Sequence, residues 1–205
     1  MSSFDNEHYS LTREGHAAVL RLTSSDGTNK LGVSLIRALL ATICNLRADA
    51  ESRKISRLII TGNERFFSAG ADLNEIAQLT GPEAFEFSRL GQRLMNAIDR
   101  FPVPVIAAVS GYCMGGGMDL ALACDRRIAG PNAIFGHRGA SLGLITGWGG
   151  TQRLPRLIGK ARALEMFLLA EKVHAQEAVR IGLVNAVAPD PLAVASGQQD
   201  QRSSA

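Results

Sequence analysis

A chain of 205 residues, 46% apolar and 20% charged, is long enough to bury one sizeable core. A formal net charge of +3, with no dense basic stripe, excludes a general nucleic-acid surface. The three cysteines, Cys44, Cys113 and Cys124, form no CxxC or Cys/His cluster; this argues against a disulfide framework or a metal site and fits a reducing, cytoplasmic setting.

Residues 1–10 carry no apolar run, so no secretory signal is read there. Two β-like segments follow, His8–Arg13 and Ala17–Thr23, joined by a turn at Gly15-His16. Leu35, Ile36, Leu39, Leu40, Ile43 and Leu46 recur at helical spacing, which predicts a helix over Ser34–Ala48. Arg57–Thr61 reads as a short buried strand, and a loop containing Ala69-Gly70-Ala71-Asp72 follows. A long helix is predicted over Pro82–Arg100, with Pro82 suited to its first turn. Val103–Val109 is a second buried strand, Gly111–Gly117 a tight turn and Met118–Cys124 a short helix. The apolar stretch Val103–Cys124 is broken by glycines and carries Asp119, so it is not a membrane span. Arg127–Ala129 and Ala133–Phe135 read as strands, and the Gly-rich segment Gly136–Gly150 leads into helices over Thr151–Leu157 and Ala161–Ala170. A short helix, Gln176–Arg180, and a strand, Leu183–Val187, complete the pattern. Strands alternating with helices imply an α/β fold with mostly parallel strands. The segment 189–205 is polar and is expected to be disordered, leaving a single domain over 1–188.

One arrangement occurs twice: a buried strand, a glycine-containing turn, then a short helix. The first copy is L-I-I-T-G…F-F-S-A-G-A-D-L and the second is P-V-I-A-A-V-S-G-Y-C-M-G-G-G-M-D-L. Glycine lets backbone and ligand approach closely. A helix N-terminus leaves N–H groups without intrahelical partners, and its dipole favours negative charge. Two such turns side by side would aim two N–H groups at one oxygen, as an oxyanion hole requires. Read alone, the triplet Gly115-Gly116-Gly117 is equally a tight connection. Neither a dinucleotide-binding G-x-G-x-x-G after a strand nor a P-loop is present, and there is no G-x-S-x-G elbow.

On the segments R-F-F-S-A-G-A-D-L (65–73), P-V-I-A-A-V-S-G-Y-C-M-G-G-G-M-D-L-A-L-A-C-D (104–125), A-I-F-G (133–136), G-W-G-G-T-Q-R-L-P-R-L-I-G (147–159) and A-Q-E-A-V-R-I-G-L-V-N-A-V (175–187), the chain resembles the crotonase, or enoyl-CoA hydratase/isomerase, superfamily. The resemblance covers residues 8–188 and implies a spiral of ββα units with helices packed outside. It also implies acyl-coenzyme A substrates, no cofactor beyond the coenzyme A moiety of the substrate, and a homotrimer or dimer of trimers. By position it places the oxyanion donors at the backbone amides of Ala71 and Gly116. It assigns Ala69, Gly70, Asp72 and Leu73 to the stretch that holds coenzyme A. Family members usually continue into C-terminal helices, so the C-terminal helical region here is expected to be shortened.

The resemblance also says where proton-handling carboxylates belong. The first falls at Asp119, one methylene shorter than the hydratases' glutamate, so its carboxylate is set back by about 1.5 Å. Some family isomerases resemble this chain in having aspartate there; the alternative is that Asp119 only caps its helix. The second falls at Gly139, which transfers no proton, and neither Thr146 nor Gly147, another family acid position, is acidic. Three features offer compensation. His137 is a candidate to titrate near neutrality, and Arg138 to pair with a substrate carboxylate. The third is a gap beside Gly139 that would take water or a small anion, as in a naphthoate-forming branch of the family that resembles this arrangement. Trp148 either lines the acyl pocket or packs in the core. The expectation is enolate stabilisation in hydratase/isomerase-type chemistry, with acyl-CoA decarboxylation or non-catalytic acyl-CoA binding as alternatives.

Overall fold

In the computed structural model, which describes residues 4–197, each turn of the chain gives one strand to a large sheet and the next to a small one. The large sheet runs in the order β1 (Phe4–Asp5), β2 (Tyr9–Glu14), β3 (Ala17–Leu22), β5 (Arg57–Thr61), β8 (Val105–Val109), β10 (Arg126–Ala129), β13 (Ala186–Val187). From β3 onward every pairing is parallel. The small sheet runs β12 (Val173–His174), β11 (Ile134–Gly136), β9 (Tyr112–Met114), β6 (Phe66–Ser68), and a third sheet pairs β4 (Lys30–Leu31) with β7 (Gly70–Ala71). This is the spiral of ββα units that the resemblance implies, and its parallel strands are those expected from the alternating sequence pattern.

Helices close each turn: α1 (Val33–Glu51), α2 (Leu73–Ile76), α3 (Gly81–Asp99), α4 (Gly116–Ala123), which is wholly buried, α5 (Gly150–Ile158), α6 (Lys160–Leu168) and α7 (Ala175–Arg180). The stripe of α1 predicted from periodicity, Leu35, Ile36, Leu39, Ile43 and Leu46, is buried, and α1 packs on α3. A capping box between Thr80 and Glu83 starts α3, with Pro82 in the first turn as expected. The turn expected at Gly111–Gly117 contains strand β9, and the expected strand Leu183–Val187 is reduced to β13. Neither short strand has enough alternation to be seen in sequence.

The expected disordered tail is corrected in its first part. Pro191–Ser196 form a helix, α8, with the Asp190 side chain accepting from Ala193 N and Gly197 closing the end at φ +77°; residues 198–205 lie outside the described residues. The reason is the second face of the large sheet. Ala18, Leu20, Leu58, Ile60 and Ala107 face the main core, whereas Ala17, Val19, Ile59, Ile106, Ala108 and Ile128 point the other way. Ala195 belongs to that second cluster, with Leu192 and Val194 packed against it. A parallel sheet covered on both faces gives continuously apolar strands, and α8 is the cover on this side.

Arg127 ties the last turns together. It is 5% exposed, and its guanidinium donates to the carbonyls of Leu183, Ala121 and Cys124. Two of those carbonyls end α4. Arg127→Ala orphans them in the interior and is expected to cost about 2–4 kcal/mol, at roughly 1–3 kcal/mol per buried unsatisfied group. Urea unfolding of the two proteins checks this.

Candidate active site

The first backbone segment of the site is set by two buried polar side chains. Asn29 donates from Nδ2 to the carbonyls of Phe66 and Phe67, and Ser68 donates to Asn29 O and accepts from Gly70 N. These bonds and the parallel pairing of β7 with β4 fix Gly70-Ala71. Gly70 has φ +100°, and a Cβ there would lie 2.6 Å from Met114 O and 3.1 Å from Gly116 N. Only glycine combines that φ with that contact. The second segment is the N-terminus of α4. Gly115 turns the chain at φ +50°, and Gly116 is the first helical residue, so its N–H has no partner inside the helix. A Cβ on Gly116 would be 3.2 Å from Ala71 N. The two amides that the sequence reading pairs across 45 positions are thus neighbours.

Trp148 seals this junction. It is 4% exposed, and a Cβ on Gly116 would meet its Cζ3 at 2.2 Å while one on Gly91 would meet its Nε1 at the same distance. Phe87 packs edge-on, with ring centroids 5.3 Å apart. Trp148 therefore fills both roles weighed for it, core packing and pocket wall. The cavity below is about 520 Å³. Ala69, Gly70, Ala71, Asp72 and Leu73 line one side with Lys30, and Phe87, Leu142, Leu144 and Ile145 line another. Asp72 also caps α2 by accepting from Asn74 N.

One turn along α4, Asp119 reaches the same cavity while only 1% exposed. The Thr146 hydroxyl donates to its Oδ2. Its Oδ1 has no hydrogen-bond partner, and neither has His137 Nε2, which lies 3.4 Å away. A Cβ on Gly150 would fall 2.1 Å from Asp119 Oδ1 and 3.0 Å from His137 Nε2, so the absence of a side chain there is what leaves the two atoms facing each other. Burial pushes the Asp119 carboxyl up to about 7 against the pull of the Thr146 hydroxyl, Arg153 and the Gly150 amide. Burial pushes His137 down to about 4. The expectation that His137 titrates near neutrality is corrected: its ring, packed 5.0 Å from that of Phe167, is held neutral.

The space beside Gly139 is the cavity it lines and does not extend along its Cβ direction. Gly139 starts a 3-10 turn ending at Leu142, and it lines the cavity. A Cβ on it would sit 2.6 Å from Leu144 O, which belongs to a loop bonded back through Leu144 N to Gly139 O. Glycine is there because the loop folds onto it, so its side-chain position is filled by backbone. Arg138 is exposed on the cavity wall. Asn29, Ser68 and Gly150 were not singled out from sequence, because buried hydrogen bonding and close approach leave no local pattern. Thr146 was weighed only as a position lacking an acid.

Two measurements follow from this geometry. A carboxyl with a raised folded pKa stabilises the fold in its protonated form; that stability is complete below about pH 4 and is lost as the pH climbs to about 7. Asp119→Asn removes the loss, so its melting temperature is expected to exceed wild type by a margin that widens from pH 4 to pH 7 and is level above. In Gly116→Ala the new methyl meets the indole, so the emission of Trp148, the sole tryptophan, is expected to shift to the red.

A family profile described as enoyl-CoA hydratase/isomerase matches residues 12–197. The chain is 41% identical over 182 residues to a crotonyl-CoA hydratase of Syntrophomonas wolfei, covering 88% of this chain and 69% of the relative. It is 38% identical over 178 residues to a short-chain-enoyl-CoA hydratase of Clostridium acetobutylicum, covering 86% and 67%. Among solved structures, Pseudomonas aeruginosa DspI superposes with a TM-score of 0.88 at 37% identity, over 96% of this chain and 82% of that one. An enoyl-CoA hydratase from Bacillus anthracis superposes with a TM-score of 0.86 at 34% identity, over 95% and 74%. With a profile match across nearly the whole chain and relatives of this identity, the chain belongs to the enoyl-CoA hydratase/isomerase family.

Proposed function

We propose that this protein acts on an acyl-CoA thioester by stabilising its enolate, in enoyl-CoA hydratase/isomerase-type chemistry. The observation that carries the reading is the meeting of Ala71 N and Gly116 N above a mainly apolar cavity that also contains Asp119. The thioester oxygen sits between the two amides. Negative charge that develops there faces the positive end of α4, in a place with little water to screen it. Asp119 moves a proton at the substrate carbon, and its raised pKa suits that task near neutral pH. Ala69–Leu73, with Lys30, hold the coenzyme A end, while Leu142, Leu144 and Ile145 receive the acyl chain.

The enzyme needs no cofactor beyond the coenzyme A of its substrate. Acyl-CoA decarboxylation is the alternative reading, and release of CO2 from malonyl-CoA separates it from hydration. The same reading carries a cytoplasmic homotrimer or dimer of trimers, for which the exposed Leu157, Leu164, Leu168 and Leu169 provide apolar surface. No helix among the described residues is long and apolar enough to cross a membrane.

Crotonyl-CoA and longer enoyl-CoAs mixed with the purified protein are expected to lose the absorbance of the conjugated thioester. Asp119→Ala is expected to slow this by about 10²–10⁴-fold, the usual contribution of a proton-transfer group. Equal rates for the two proteins, or no turnover of any enoyl-CoA or double-bond isomer, would contradict the proposal.

A further inference from the structure

Hydration of an enoyl thioester needs two proton-handling atoms, and the position expected to supply the second is Gly139, whose Cβ direction is filled by Leu144 O. Two buried polar atoms in the cavity nevertheless lack partners: Asp119 Oδ1 and His137 Nε2. A buried polar atom left without a hydrogen bond is costly, and such atoms persist where something else uses them. They lie 3.4 Å apart beside Gly150, on residues that are 1% and 4% exposed. We propose that His137 Nε2 is the second proton-handling atom of the site, taking the proton from the attacking water while Asp119 serves as the acid, the pair holding one proton between them. This rests on the enoyl-CoA reading and assigns the half of its chemistry that Asp119 alone leaves open.

The step balances. The protein starts with a carboxyl proton on Asp119 and a neutral imidazole whose proton is on Nδ1. The water oxygen bonds to Cβ, and the π electrons of the double bond move onto the thioester oxygen between Ala71 N and Gly116 N. His137 Nε2 takes the proton the water loses. Asp119 gives its proton to Cα, and the enolate collapses to the saturated thioester. A carboxylate then faces an imidazolium, and one proton crosses from Nε2 to Oδ1 to restore the starting state.

The surroundings favour that assignment. Burial disfavours charge on both groups, raising the acid and lowering the base, so between pH about 4 and about 7 the resting pair is neutral. Opposed environments of this kind identify acid and base. The groups that face the pair are the Thr146 hydroxyl from the preceding loop, the Gly150 amide and the Arg153 charge from α5, the Phe167 ring from α6 and the Cys113 thiol from β9, itself held protonated by burial. Thr146 already occupies Oδ2, which leaves Oδ1 for the exchange.

His137→Gln keeps a side chain of similar reach but accepts no proton. The test follows crotonyl-CoA hydration together with exchange of the α-protons of butyryl-CoA in D2O at pH 7, which requires only the oxyanion hole and the ionised fraction of Asp119. For His137→Gln we expect hydration to fall by about 10²–10⁴-fold while exchange stays within about threefold of wild type. The wild-type kcat/KM needs no variant to fold. It is expected to drop above pH about 7, as Asp119 loses its proton, and below about 4, as His137 gains one. Hydration by His137→Gln within about threefold of wild type overturns the proposal, as does joint loss of hydration and exchange, or a wild-type rate that climbs through pH 7. A wild type that neither hydrates nor exchanges overturns the enoyl-CoA reading itself, and this proposal with it.

Discussion

The site depends on one close approach, that of the backbone at Gly70-Ala71 to the first residue of α4, Gly116. Two turns of the spiral bring β6 and β9 side by side in the small sheet, and the segments that leave them meet. The meeting requires a missing side chain on both sides. At Gly70 a Cβ would strike the Met114 carbonyl, and at Gly116 it would strike Trp148. The indole then lies over α4 and α3 together, so the contact that brings the two amides together also packs the core. A substitution at Gly116 is for this reason a change in packing as well as in chemistry.

Burial supplies the second half of the site. An aspartate on a helix beginning Gly-Gly-Met would ordinarily face water near the N-terminus and ionise easily. Here α4 is enclosed on every side, and all eight of its residues are buried. The carboxyl is held near its point of half-protonation by desolvation working against a hydroxyl, an amide and one arginine. The same desolvation neutralises His137. A site that excludes water in this way strengthens the field of the two backbone amides where enolate charge would form.

Much of the fold was legible because its signals are long and local. The 19-residue helix α3 begins within a residue of where Pro82 and its apolar spacing predict, and β5 spans the five residues read as a buried strand. The glycine turns after buried strands marked the two segments of the site in sequence, but Ala71, Gly116 and Asp119 were singled out by position through the family resemblance. What escaped was set by tertiary contact. The polar composition of residues 189–205 hides α8, yet Asp190, Pro191 and Gly197 are an N-cap, a first-turn proline and a C-terminal glycine in proper order. That Leu144 O packs against the Cβ side of Gly139 leaves no trace in the sequence, because it depends on how the loop folds back. His137 read as a neutral-pH switch because its burial came from α6, far along the chain. Asn29 and Ser68, which hold Gly70 in place, act through hydrogen bonds to segments up to 39 residues away.

The role proposed for Ala71 N and Gly116 N is to polarise a thioester carbonyl. The most direct measurement is the infrared difference spectrum of a non-reacting saturated acyl-CoA carrying ¹³C at the thioester carbon, recorded free and bound. The carbonyl stretch is expected to move to lower wavenumber on binding, and the shift to be lost in Gly116→Pro, which removes one donor. A bound ligand whose carbonyl band stays where it is in water would contradict it.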